Sequence, residues 1–264
     1  MGRPTVRHGK PMGGADSPEE RIPPIMSPHA AFILGEPEYE SHKTMPGLAR
    51  DLEERHGFRT TLCVSSVIPD TPDFLESEFS NLGALEEADV AVFYTRFRVL
   101  PPEQMETIRA YVDAGKPVVG LRTATHSFHF SEGSPYHSWN DGFGQNVLGA
   151  PWRAHHGGDS STDVEVIPEA ADHPILQGVE KRFHARSWLY HVLPIPETCF
   201  PLLWGKPVNP GAHFPPTENP VAWTNAHKGG RVFYTSLGHP QDFNLASFRN
   251  LVVNGIRWAV GENE

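Results

Sequence analysis

Residues 117–130 read PVVGLRTATHSFHF, and the reading of this stretch decides the fold. An apolar strand over 117–121 passes through Gly120 and turns at once into what reads as the first turn of a helix. In many α/β enzymes a junction of this kind presents a nucleophile. Here the turn offers Arg122, Thr123, Thr125 and His126, and no cysteine.

Working outward, the flanks repeat a βα alternation. AFIL (31–34) is a short buried strand ending at Gly35, and Met45, Leu48 and Leu52 have helical spacing with Gly57 as a stop. FRTTLCV (58–64) and ADVAVFYT (88–95) are further strands, the latter an apolar run suited to burial on both faces of a parallel sheet. Residues 101–116 read as a helix with proline in its first turn and Gly115 at its end. Beyond 162 come strand-like pieces at DVEVI, CFPLLWG, PVAWT and RVFYTSL, then a closing helix over 242–261. Such alternation predicts an α/β fold with a mostly parallel, doubly wound sheet. Residues 1–27 have no apolar periodicity and are expected to be a disordered or surface-hugging tail, leaving 28–264 as one domain.

Composition narrows the function. A formal charge of −10 argues against nucleic acid or an anionic membrane as partner, and no apolar run reaches membrane-spanning length. The tail lacks the apolar core of a signal peptide, so the chain reads as cytoplasmic as written, or periplasmic or secreted if a leader has been removed. Cys63 and Cys199 sit far apart in strand-like runs and read as core residues. With 24 glycines and 26 prolines the chain carries an excess of long, ordered loops. The longest, 131–161, is rich in Gly, His and Trp, which marks a functional loop region.

In open α/β sheets ligands bind beyond the carboxyl ends of the strands. That rule selects Glu36, Glu38, Tyr39 and His42 after the first strand, and Arg96 and Arg98 after the third. It selects Arg122, Thr123 and His126 after the fourth, and His239 and Asp242 after a late one. An arginine after a wholly apolar strand needs a partner, either a carboxylate such as Glu36 or Asp141 or a bound ligand. His155 and His156 raise the question of a divalent metal such as zinc, with His126, His156 and His239 as candidate ligands. No HExxH or CxxC pattern accompanies them, and a sugar site built from His and Trp explains the same residues without a metal. Neither a thiol triad nor a phosphate-binding glycine motif is present.

The segments GEPEY, TRFRVLPPEQ, GLRTATHSF, VLGAPWRAHHG, HPILQGV, SWLYHV and PVAWTNAHKGGRVFYTSLGHPQDF together resemble the trehalose-utilisation, ThuA-like family from about His29 to Gly261. The resemblance implies a class I glutamine amidotransferase-like fold, a flavodoxin-like three-layer sandwich. In amidotransferases the elbow reads GxCxGxQ, and its cysteine falls on Arg122 here, which disfavours an amidotransferase. It further implies carbohydrate catabolism, especially of 3-keto-glycosides. The pocket carried over comprises Glu36, Tyr39, Arg96, Arg122, Thr123, His126, His155, His156, Tyr190, Asn225 and His239, with Arg122 where many members carry a histidine.

On this basis one expectation is an enzyme acting on a sugar derivative by acid/base chemistry. His126 or His156 would be the base, Arg122 or Arg96 the oxyanion partner and Glu36 the acid or orienter, with Trp139 and Trp152 covering the sugar. The alternative is a non-catalytic carbohydrate-binding or scaffold protein. A homodimer or larger assembly is expected from the family.

Overall fold

The computed structural model describes residues 1–2, 27–66, 76–157, 159–211 and 215–262. The expected tail therefore lies almost entirely outside the described residues. The strands are β1 (His29–Gly35), β2 (Arg59–Val64), β3 (Val90–Thr95), β4 (Val118–Leu121), β5 (Ala154–His155) and β6 (Ser161–Val166). They continue with β7 (Arg182–Ala185), β8 (Tyr190–His191), β9 (Phe200–Val208), β10 (Asn219–His227) and β11 (Gly230–Thr235). The helices are α1 (Ser41–His56), α2 (Pro102–Asp113), α3 (Trp139–Gly142) and α4 (Ala246–Ala259).

Nine strands form one sheet in the order β2-β1-β3-β4-β11-β10-β9-β6-β7, and β5 pairs with β8 in a separate ribbon. The first five strands run parallel. The last four are antiparallel to their neighbours, so the sheet is not mostly parallel as expected. The cause is local. Only Lys228 and Gly229 separate β10 from β11, and both have positive φ (49° and 88°), which closes a tight hairpin and forces antiparallel pairing. At the far edge β7 pairs exposed polar side chains with β6, Arg182 with Glu165 and His184 with Asp163.

Side-chain alternation on β3 divides the core. Val90, Val92 and Tyr94 meet Met45, Leu48 and Leu52 of α1 and Phe248, Leu251 and Val252 of α4. Ala91 and Phe93 meet Met105 and Ile108 of α2 on the other face. Helix α4 lies very close to β11, since a Cβ built on Gly255 would fall 2.2 Å from the Phe233 ring. Cys63 and Cys199 are free, buried core residues, as their apolar surroundings predict.

Two expected elements differ in detail. Helix α1 starts earlier than its apolar spacing suggests, because the Glu36 carbonyl accepts from both the Ser41 amide and hydroxyl at 3.1 Å. The 131–161 stretch is partly regular, with α3 running into a π-helical turn over Phe143–Leu148. Among the described residues no helix is long and apolar enough to cross a membrane.

Candidate functional site

Strand register assembles the site before any side chain is considered. Gly35 pairs with Thr95 and Leu121 with Thr235, so the parallel strands end at one edge. Glu36, Arg96, Arg122 and Ser236 are the next residues along their chains, and they meet there.

Glu36 is fully buried. One carboxyl oxygen accepts from the Tyr39 amide, and the other lies 3.2 Å from Nε of Arg96. Burial pushes the carboxyl up to about 7, against the opposing pull of Arg96. Arg96 also pairs through Nη1 with Glu38 on the exposed rim, and its side chain keeps 17% exposure. The arginine that the sequence leaves between a carboxylate and a ligand therefore pairs with Glu36, not with Asp141.

Arg122 occupies the elbow with a φ of 44°, in the left-handed region. The turn is a single 3₁₀ turn over Arg122–His126 rather than an α-helix. It ends there because the carbonyls of His126 and Ser127 accept from Phe97 and Arg98 in place of helical donors. The Arg122 side chain is wholly buried. Its Nη2 donates to the Tyr39 hydroxyl at 2.9 Å and its Nη1 to the Ser236 carbonyl at 3.0 Å, with the Trp188 carbonyl at 3.5 Å. The guanidinium carbon stands 4.1 Å from the Tyr39 ring centre, 5.0 Å from Tyr190 and 5.8 Å from Trp188. Tyr234 donates to the Arg122 carbonyl at 2.5 Å and fixes the turn.

His126 is buried against Phe97 and Trp152, with ring centres 5.0 and 5.1 Å away. Burial, reinforced by Arg96 and Arg122, pulls its pKa down to about 3, so the imidazole is neutral at physiological pH. His155 extends the aromatic shell, 5.8 Å from Trp152 and stacked on Trp188 at 5.3 Å. His239 borders it through Tyr39 at 6.2 Å.

A buried network under the rim fixes its last loop. Asp242 Oδ2 accepts from the Ser187 hydroxyl at 2.5 Å and from the Gly238 and His239 amides at 3.1 Å. Its Oδ1 accepts from the Arg186 amide at 2.7 Å.

Of the residues selected from sequence, the structure brings together Glu36, Tyr39, Arg96, Arg122, Thr123, His126, Trp152, His155, Tyr190 and His239. Three lie elsewhere. The His156 ring meets His191 at 4.7 Å and the Pro210 carbonyl at 3.0 Å. Trp139 stacks on Phe143 at 6.1 Å and packs beside Phe128. Asn225 pairs with Val232, whose other partner, Val118, opens β4, so it sits at the opposite end of the strands. Among the described residues no three His, Cys, Asp or Glu side chains form a group that could hold a metal, so His126, His156 and His239 do not make one. Sequence reading assigned no role to Trp188, Phe97, Ser187 or Ser236. Trp188 and Ser187 come from the antiparallel half, where no carboxyl-end rule points to them.

The fold and the motifs have known counterparts. The chain is similar in structure to a ThuA-like protein from Bacteroides uniformis (TM-score 0.62, 18% identity, 97% of each chain covered). It is likewise similar to one from Parabacteroides merdae (TM-score 0.61, 14% identity, 89% of this chain and 91% of that one). A protein from Salmonella typhimurium described as cytoplasmic shares the fold more loosely (TM-score 0.52, 12% identity, 89% of this chain and 99% of that one). No curated protein matches the chain. The model of the ThuA family, described as trehalose utilisation, matches residues 33–259, and the chain belongs to that family.

Proposed function

We propose that the chain is a carbohydrate-catabolism enzyme acting on a sugar derivative, a 3-keto-glycoside or its like, by acid/base chemistry without a cysteine nucleophile. The observation that carries this reading is the buried Glu36 carboxyl, poised near neutrality and paired with the partly exposed Arg96. A group with that pKa is ionised enough to accept a proton and acidic enough to return it at physiological pH. Glu36 takes the proton from the carbon beside the keto group, and the bonding pair moves onto the keto oxygen. Arg96 stabilises the resulting enolate. Transfer of the adjacent hydroxyl proton to the enolate oxygen, with return of the abstracted proton to the former keto carbon, completes an isomerisation. Alternatively the enolate pair re-forms the keto group and expels the glycosidic oxygen from the next carbon, which takes the proton held by Glu36, an elimination. Water adding across the new double bond makes the sum a hydrolysis.

On this reading the base role expected of His126 passes to Glu36, because an imidazole with a pKa of about 3 is a weak base and serves instead as a hydrogen-bonding wall. Arg122 acts from behind, as a fixed charge. The finer fold assignment, the flavodoxin-like class I glutamine amidotransferase-like sandwich in a single domain, is part of the proposal. The parallel order β2-β1-β3-β4-β11 and helices on both faces support it. A cytoplasmic location is proposed with it, in line with the description of the Salmonella neighbour.

Full burial of Glu36 favours a second reading, a carbohydrate-binding protein in which Glu36 only anchors Arg96. Turnover of 3-keto-disaccharides by wild type and Glu36→Gln separates the two. Turnover that Glu36→Gln abolishes while binding persists supports the enzyme. Binding of keto-sugars by both proteins with turnover by neither overturns it.

A further inference from the structure

We infer that the sugar derivative taken by this site carries a carboxylate, an inference that rests on the sugar-site reading above. The argument is a balance of donors and acceptors. In the shell around Arg122, the indole Nε1 atoms of Trp152 and Trp188 and Nε of Arg122 are buried without a hydrogen-bond partner. All three can only donate. The hydroxyls of Thr123 and Ser236, equally unpartnered, can donate as well. One acceptor at the same rim, Glu36 Oε1, is also buried without a hydrogen-bond partner, but it lies 3.2 Å from the Arg96 cation, and Glu38 pairs with Arg96 as well. The unmet capacity of the shell is therefore on the donor side.

A buried polar group without a partner marks a place where water, an ion or a ligand completes the structure. A neutral hydroxyl is a poor complement to a set of obligate donors, since its own proton needs an acceptor. A carboxylate accepts only, through two oxygens. Charge points the same way. Arg122 is a permanent cation whose hydrogen-bond partners are a phenol and backbone carbonyls, with aromatic rings around it. An uncompensated buried guanidinium is costly, and an anion beside it recovers part of that cost. Trp152 and Trp188 are each partly exposed, so the shell borders solvent at the two indoles. His155, between the two indoles, keeps them in one shell.

The test compares two probes that share a pyranose ring, sodium D-glucuronate and D-glucose, by calorimetric titration of the full chain at low salt and neutral pH. The expected result is at least tenfold tighter binding of glucuronate, weakening with added salt. Trp188→Phe, which keeps an aromatic ring and removes the N–H, should lower that preference several-fold; a thermal melt checks that the variant is folded. Equal affinity for the two probes overturns the carboxylate and leaves the sugar site standing. An unchanged preference in folded Trp188→Phe and Trp152→Phe also overturns it. Binding of neither probe overturns both the carboxylate and the sugar site. Tight glucuronate binding without turnover of keto-sugars leaves the carboxylate standing and removes only the enzyme.

Discussion

Arg122 and Tyr39 are joined twice: the guanidinium lies over the phenol ring at 4.1 Å, and the same guanidinium donates to that phenol's hydroxyl at 2.9 Å. The pair ties the elbow after β4 to the loop after β1. Tyr39→Phe keeps the ring contact and removes the acceptor, leaving an N–H of a buried cation unpaired. The expected loss is about 1–3 kcal/mol of stability, measured by denaturant unfolding. A variant as stable as wild type would show that the ring alone supports Arg122.

Glu36 and His126 should pull stability in opposite directions with pH. Glu36 is raised to about 7 by folding, so the unfolded chain releases its proton first and stability falls from about pH 4.5 to 7. His126 is lowered to about 3, so the unfolded chain takes up a proton first and stability falls as pH drops from 6.5 toward 3. Between pH 4.5 and 6.5 the two effects largely cancel. Unfolding titrations should therefore show a stability that declines with rising pH in His126→Gln and increases with it in Glu36→Gln. The limiting slope is about 1.4 kcal/mol per pH unit. Parallel profiles for the two variants would refute the assignment.

Asp242 satisfies three backbone amides and one hydroxyl from full burial. Asp242→Ala strands the Arg186 amide and the Ser187 hydroxyl and leaves the Gly238 and His239 amides only Ser187 Oγ, at 2.9 and 3.0 Å, so a loss of about 3 kcal/mol is expected. Ser187→Ala removes one partner while Asp242 still holds the amides, so a loss of about 1 kcal/mol is expected. The ranking, read from melting midpoints, is the test.

Gly255→Ala sets helix propensity against packing. Alanine favours the helix by about 1 kcal/mol. Its methyl would meet the Phe233 ring at 2.2 Å, and overpacking costs about 1–3 kcal/mol. Packing should win, with a net destabilisation of about 1 kcal/mol; a stabilised variant would mean that α4 can shift away from β11.

The parallel half of the molecule was legible because burial on both faces leaves a plain trace. Val90 to Tyr94 is apolar at every position, and the residues after each such run fall at one edge, which identified Glu36, Arg96, Arg122 and His126. The antiparallel half was not. Its strands mix exposed and buried positions, as in Phe200–Val208, and the hairpin at Lys228–Gly229 lacks the Asn-Gly or Asp-Gly signal that would announce it. Trp139 and Asn225 were assigned to the site by residue type and motif, and neither property says which end of a strand a side chain reaches. Trp188 was overlooked for the converse reason, since it lies in the connection between β7 and β8, on no strand whose end would point to the rim.

The left-handed backbone of Arg122 has a bearing on how this protein can be altered. A non-glycine residue in that conformation bears a cost of the order of 1 kcal/mol that is set by torsion and not by its side chain. Because Tyr234 holds the carbonyl and Phe233 to Thr235 hold the neighbouring strand, the torsion should persist whatever side chain is mounted there. The elbow is thus a fixture separable from its tool. A single Arg122→Cys exchange would set a thiol on the turn after β4, with the cage of rings already around it, and so offers a direct route to asking how much of a nucleophile elbow's chemistry resides in the backbone alone.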